Sequence, residues 1–205
     1  MYLEPLPKTS VEILAFLSSR LRDTFTVRQI AKGIGQDYKI THEMTMRLAR
    51  QKHIIAEKCK PITSCRVNLR GNAALLAYVE AVRASRYFAR HRDIAILVNN
   101  VLEKIASPFF TMILSGSYVK GTASRRSDVD ILFVIPDKSR ENEISSAVAS
   151  TERINPIGIH DVTLTAGEFV GLLKEKGPNL AWETLDDRVV VYGAEALFRM
   201  LEGVL

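Results

Sequence analysis

The sequence predicts a mixed α/β (α+β) fold in two parts, and three observations carry that prediction. Residues 8–70 space their apolar side chains for three amphipathic helices followed by two short strands. From about residue 109, short apolar runs alternate with helical patterns, as in a sheet flanked by helices. Charge divides the chain in the same way. Residues 1–70 hold 13 Lys/Arg and 6 Asp/Glu, a net of +7, while residues 71–205 hold 15 and 17, a net of −2. The 205 residues, 47% hydrophobic and 25% charged, suffice for one or two domains with a sizeable core.

The first helix spans about residues 10–22, with Val11, Leu14, Leu17 and Leu21 at helical spacing. Thr26 and Gln29 have the form of a capping box and open a second helix, whose apolar face is Val27, Ile30, Ala31 and Ile34. Gly33 and Gly35 end it. Thr41 is the expected N-cap of a third helix, with Met44 and Leu48 inward and His42, Arg47, Arg50 and Lys52 on the other side. Residues 54–58 and 66–69 read as strands around a turn containing Lys60 and Pro61.

Gly71-Asn72 marks a boundary between a domain over residues 1–71 and a linker helix over 72–91. The second domain is expected over 92–205. It begins with a helix over 92–106, with Ile94, Leu97, Val98, Val101, Leu102 and Ile105 apolar, stopped by Pro108. Strands follow near 109–114, 129–135, 157–164 and 189–192. Helices are expected near 118–122, 138–150, 166–176, 179–185 and 194–203.

No apolar run approaches the ~20 residues of a membrane span, and the first residues lack the pattern of a signal peptide. A cytoplasmic protein without a membrane partner is therefore expected. Cys59 and Cys65 are ordinary thiols by default. A disulfide between them would require the two to face each other across a hairpin. The four histidines show no zinc-ligand spacing.

The chemistry concentrates in one motif: Gly116-Ser117, ten residues, then Asp128-Val129-Asp130. At Gly116 the missing side chain lets backbone approach a phosphate closely. Asp128 and Asp130, two apart on a strand, project to one face. Two such carboxylates repel and are costly to bury, a conflict that a divalent cation carrying a triphosphate resolves. Lys120, Arg125 and Arg126 lie between the two halves as phosphate neighbours or solvated loop charges. In the strand Ile157–Leu164, alternation puts Asp161 on one face with Ile157, Ile159 and Thr163, with His160 on the opposite face as a structural residue.

This motif, together with the Ser127–Ile131 sequence SDVDI, resembles the minimal nucleotidyltransferases of the DNA polymerase β-like superfamily. The resemblance covers roughly residues 92–205. It implies a mixed sheet flanked by helices, with Asp128, Asp130 and Asp161 as catalytic residues holding two Mg²⁺ ions. Gly116, Ser117, Lys120 and Ser127 would bind the nucleotide, with ATP as substrate. It also implies transfer of a nucleoside monophosphate to a hydroxyl on a macromolecule, in some relatives a HEPN-type toxin whose antitoxin is the transferase. Phe25–Ile34 (FTVRQIAKGI) followed by Met46–Ile55 (MRLARQKHII) resembles the winged helix-turn-helix domains of prokaryotic regulators. That resemblance implies duplex DNA as a partner, contacted by Thr45, Arg47, Arg50 and Lys52 of the third helix and by Lys58, Lys60 and Arg66 of the wing. A homodimer would match a palindromic site. The competing expectation is a DNA-binding regulator whose nucleotidyltransferase fold senses nucleotide or mediates assembly.

Overall fold

Two sheets organise the chain. The computed structural model describes residues 6–59 and 62–205, with Cys59 defined in its backbone alone. The first part runs α1 (Lys8–Ser18), β1 (Phe25–Thr26), α2 (Val27–Ile34), α3 (Tyr38–Arg50), β2 (Ile54–Cys59) and β3 (Ile62–Val67). Its sheet is antiparallel in the order β1-β3-β2. Val27, Ile30 and Leu48 meet Ile13, Leu14 and Leu17 in the core beneath it.

Local chemistry explains most boundaries. Thr26 accepts from the Gln29 amide and the Gln29 side chain returns the bond, closing the capping box at α2. Gly35, at φ 64°, ends that helix in the left-handed region that glycine enters without steric cost. The N-cap of α3 is Asp37 rather than Thr41: the Asp37 carboxylate accepts from the amides of Lys39 and Ile40. Thr41 is buried, its hydroxyl donating to the Asp37 carbonyl. Strand β1 is two residues long, too short for any periodicity. Strand β3 begins at Ile62 because the register pairs Cys59 with Ile62 and runs back to Ile54 against Val67. Cys65 pairs with Ala56, so the hairpin does not set the two cysteines opposite each other. The Cys65 thiol is buried, and burial pushes its pKa up to about 11. Lys60 and Pro61 lie outside the described residues.

The second part continues with α4 (Ala73–Arg90), α5 (Arg92–Leu102), β4 (Thr111–Ser115), α6 (Gly116–Lys120), β5 (Val129–Ile135), a 3₁₀ turn (Lys138–Arg140) and α7 (Glu141–Glu152). It ends with β6 (Ile159–Thr165), α8 (Ala166–Lys174), α9 (Leu180–Asp186), β7 (Val189–Tyr192) and α10 (Ala194–Glu202). The four-stranded sheet has the order β6-β5-β4-β7. β5 and β6 are parallel and the other pairs antiparallel, so the sheet is mixed and the fold α+β. One face packs Ile131 and Phe133 against Leu97 of α5 and Ile144 of α7. The other packs Leu132 and Val134 towards Phe169, Trp182 and Phe198 of α8, α9 and α10.

Helix α4, expected as a linker, buries one face in the core. Leu75, Leu76 and Val79 join the same apolar cluster as Leu14 of α1 and Leu201 of α10. Asn72 fastens its start: the Asn72 amide donates to the carbonyls of Lys52, Asn68 and Arg70, and its Oδ1 meets His53 Nδ1 at 2.6 Å. Further along, Glu80 is fully buried and bonds to both Arg83 and Arg188. The Arg188 guanidinium, itself fully buried, also donates to the carbonyls of Ser18 and Leu185. Arg83 donates to the Arg188 carbonyl. One charge network thus ties α1, α4, α9 and the start of β7. Burial pushes the Arg188 pKa down, and the neighbouring Glu80 carboxylate opposes that shift.

Among the described residues, no helix is long and apolar enough to cross a membrane.

Candidate functional site

Strand β4 leads directly into α6 through Gly116, at φ 70°. A side chain there would be strained by the backbone and would also overlap the Asp130 carboxylate. Glycine is therefore required twice over: for the turn, and to let strand β5 bring its carboxylate against the turn. The antiparallel register of β4 with β5 pairs Ser115 with Asp130, which fixes that approach.

Asp130 side-chain exposure is 37%, so the carboxylate is held by the fold yet open to a ligand. Asp128, two residues earlier and on the same face by strand alternation, is exposed and packs against Gly158 just before β6. A Cβ on Gly158 would collide with the Asp128 carboxylate. Gly158 was not singled out by the sequence. Its φ is not positive, and the reason for glycine there is the neighbouring strand, which only the tertiary structure supplies.

Strand β6 sets His160, and not the expected Asp161, on the face of Asp130. Parallel pairing sets His160 beside Asp130 and Asp161 beside Ile131. Paired residues share a face, so His160 accompanies the two aspartates while Asp161 turns away from them. Indeed His160 Nδ1 lies 2.9 Å from Asp130 Oδ1. Asp161 instead shares the face of Ile131, which packs with α5 and α7. Desolvation raises its pKa, and the nearby Glu152 carboxylate adds to the rise. The strand alternation in Ile157–Leu164 was legible; which of its faces meets Asp130 was not.

Asp161→Asn tests this correction. A carboxyl with a raised folded pKa binds its proton more tightly in the folded chain than in the unfolded one. Stability therefore falls as pH rises from about the ordinary value of 3.8 through the folded pKa, and the loss persists above it. The neutral amide escapes that loss. The variant is expected to keep nucleotide binding and to show a higher Tm than wild type at pH 7, the difference vanishing below the ordinary carboxylate range. Thermal melts of both proteins across pH check this.

A cleft of about 200 Å³ opens beside Gly116, Asp130 and His160, closed on the far side by Leu180, Glu183 and Thr184 of α9. Lys120 also lines it and forms a 3.8 Å pair with Asp187. Both partners are about half exposed, so the pair contributes little and leaves Lys120 available to an anion. Ser117 is half-buried in α6. The Ser127 hydroxyl accepts from the Ser124 amide at 2.9 Å and meets the Ser124 hydroxyl, so its bonds shape the loop ahead of Asp128. Arg125 and Arg126 are exposed on that loop.

Among the described residues, no group of three or more His, Cys, Asp or Glu side chains is arranged to hold a metal ion by itself. Magnesium is usually held by one or two carboxylates completed by substrate phosphates. The two hard oxygen donors Asp128 and Asp130, the latter lining the cleft, fit that pattern.

The basic residues of the first part separate into two groups. Lys39, His42 and Arg50 of α3 and Lys58 of β2 border one shallow groove with Met46, Ala49 and Ala56. Arg47 is exposed on the same helix. Thr45, expected to contact DNA, is fully buried, because its place in α3 turns it to the helix core with Leu48 and Thr41. Arg66 pairs with Ile55, whereas Lys58, two residues on from Ala56, shares the face of Ala56, so Arg66 lies on the other face of the hairpin. There it lines a separate cavity with Asn68, Arg70 and Glu202. Lys52 is exposed, at φ 63° just past α3, and its carbonyl is used by Asn68 and Asn72. Lys60 lies outside the described residues.

No curated protein and no solved structure gives a significant match to the chain. Residues 93–191, just under half of the chain and including both halves of the motif, match the family model described as nucleotidyltransferase domain.

Proposed function

We propose that the protein transfers a nucleoside monophosphate, AMP from ATP, to a hydroxyl of a macromolecular acceptor. The observation that carries this reading is the seating of the Asp130 carboxylate against the Gly116 turn, with Asp128 on the same face. Asp128 and Asp130 would hold Mg²⁺, two ions in the superfamily pattern. Bound magnesium would supply charge neutralisation and a lowered pKa for the attacking hydroxyl. The Gly116–Ser117 backbone accommodates the terminal phosphates, and Lys120 offers a cation at the cleft. The acceptor oxygen bonds to the α-phosphorus, the bond to the β-phosphate bridge breaks, and pyrophosphate departs while the hydroxyl proton passes to solvent. Asp161 is not given a role, because its strand turns it to the other face. A HEPN-type toxin is the acceptor class implied by the resemblance to minimal nucleotidyltransferases, which would make this chain an antitoxin.

Calorimetric titration with a non-hydrolysable α,β-methylene ATP tests the nucleotide site. Binding is expected with Mg²⁺ and not with EDTA. Binding indifferent to the cation would overturn the reading.

The groove between α3 and β2 favours an added role, in which the first part is a winged helix module gripping duplex DNA through Arg47, Arg50, Lys52 and Lys58. Phosphate contacts release counterions, so each neutralised lysine or arginine should lower the salt slope of DNA binding by about 1. Mobility shifts with Arg50→Gln and Lys58→Gln at several salt concentrations check this. Unchanged slopes would leave the module without a DNA role. The regulator reading, with nucleotide only sensed, would apply if nucleotide binds and DNA binds but no acceptor is ever labelled.

A further inference from the structure

We infer that His160 is the positioning residue of the nucleotide site, holding one oxygen of Asp130 so that the other is presented at the Gly116 turn. This rests on the proposed nucleotidyl-transfer reading and assigns a role to a residue that the sequence pattern left structural.

Three observations converge on it. The parallel register places His160 directly beside Asp130 on the carboxylate-bearing face. His160 Nδ1 is 2.9 Å from Asp130 Oδ1. An ionised carboxylate can only accept, so Nδ1 carries the hydrogen and donates. The other oxygen, Oδ2, is the Asp130 atom nearest the position that a Cβ on Gly116 would occupy. The carboxylate is therefore gripped on one side and offered on the other, at the mouth of the cleft that both residues line.

A packing role does not account for this placement. The His160 side chain is 68% exposed, so it fills no core space, and an exposed pair of this kind contributes little to stability. Its effect falls instead on the orientation of the Asp130 carboxylate, whose other oxygen packs against Gly116. Residues that fix ligating carboxylates in this way typically alter metal affinity by about 10–100-fold when removed.

The test is the affinity of α,β-methylene ATP in the presence of Mg²⁺, measured by calorimetry for wild type, His160→Ala, His160→Asn and Asp130→Asn, with Tm recorded for each. His160→Ala is expected to weaken cation-dependent binding by about 10–100-fold with Tm unchanged. His160→Asn, whose amide can still donate to the carboxylate, is expected to recover a large part of the loss. Equal affinity for wild type and His160→Ala, with Asp130→Asn impaired, would overturn the role of His160 while leaving the site intact. A fall in Tm matching the loss, unrelieved by Asn, would make the residue merely structural and also overturn it. Absence of cation-dependent binding in wild type would remove both the site reading and this inference.

Discussion

Asp130→Asn is expected to lower nucleotidyl transfer by at least roughly 10²–10³-fold, the scale of losing one well-placed electrostatic group, with Tm nearly unchanged. The amide keeps the shape that packs against Gly116 but not the charge. It can no longer offset a divalent cation, and it turns the charge-assisted bond from His160 into a neutral one. Gly116→Ala should lose as much activity by a different route. Its Cβ would claim the space of the Asp130 carboxylate, and alanine is strained at φ 70°. That variant is expected to lose stability as well, by about 1 kcal/mol or more. The two separate cleanly when label transfer from ATP and Tm are measured together: charge loss moves the first alone, steric displacement moves both. Wild-type transfer by Asp130→Asn would remove this carboxylate from the reaction.

The largest stability effect belongs to Glu80 and Arg188. Both side chains are fully buried and lie 3.2 Å apart. Removing one partner from such a pair leaves an uncompensated buried charge, at a cost of roughly 3–5 kcal/mol. Glu80→Ala is the more severe case. It strands the Arg188 guanidinium with only the Ser18 and Leu185 carbonyls and leaves Arg83 without its carboxylate. Arg188→Met leaves Glu80 paired with Arg83 and should cost less. In a chain of this size, about 4 kcal/mol corresponds to a fall in Tm of about 10 °C. The double change Glu80→Leu/Arg188→Met should be milder than the sum of its singles, because apolar side chains replace a pair whose desolvation penalty offsets much of its attraction. Urea unfolding of the four proteins measures this. Additive losses would show that the two residues act separately. Because the network joins α1 and α4 to α9 and β7, weakening it should also loosen the basic first part from the second part.

Much of this molecule is written in its periodicities. The helices over Ala73–Arg90 and Ala194–Glu202 and the strands Val129–Ile135 and Val189–Tyr192 fall where apolar spacing and stop signals put them, while the helix expected over 92–106 ends at Leu102, ahead of its stop signal at Pro108. Caps refine the ends and sometimes revise them, as when Asp37 takes the place expected of Thr41. Arg188 was illegible for a different reason. It follows Asp186 and Asp187 in the chain and reads as one more surface charge, because its partner Glu80 is 108 residues away. Thr45 shows the converse: a polar residue on a basic helix was assigned to the surface, and packing against α1 and α2 buried it.

The sequence by itself determined the elements and the pairing of a Gly-Ser turn with two co-facial carboxylates, because both depend on local spacing of 3.6 or 2 residues and on backbone freedom at one glycine. Only the tertiary structure decided that His160 and not Asp161 stands beside Asp130, that Gly158 makes room for Asp128, and that Arg188 is interior. Each of these depends on the register or proximity of segments distant in sequence, and a strand displaced by one residue presents its opposite face.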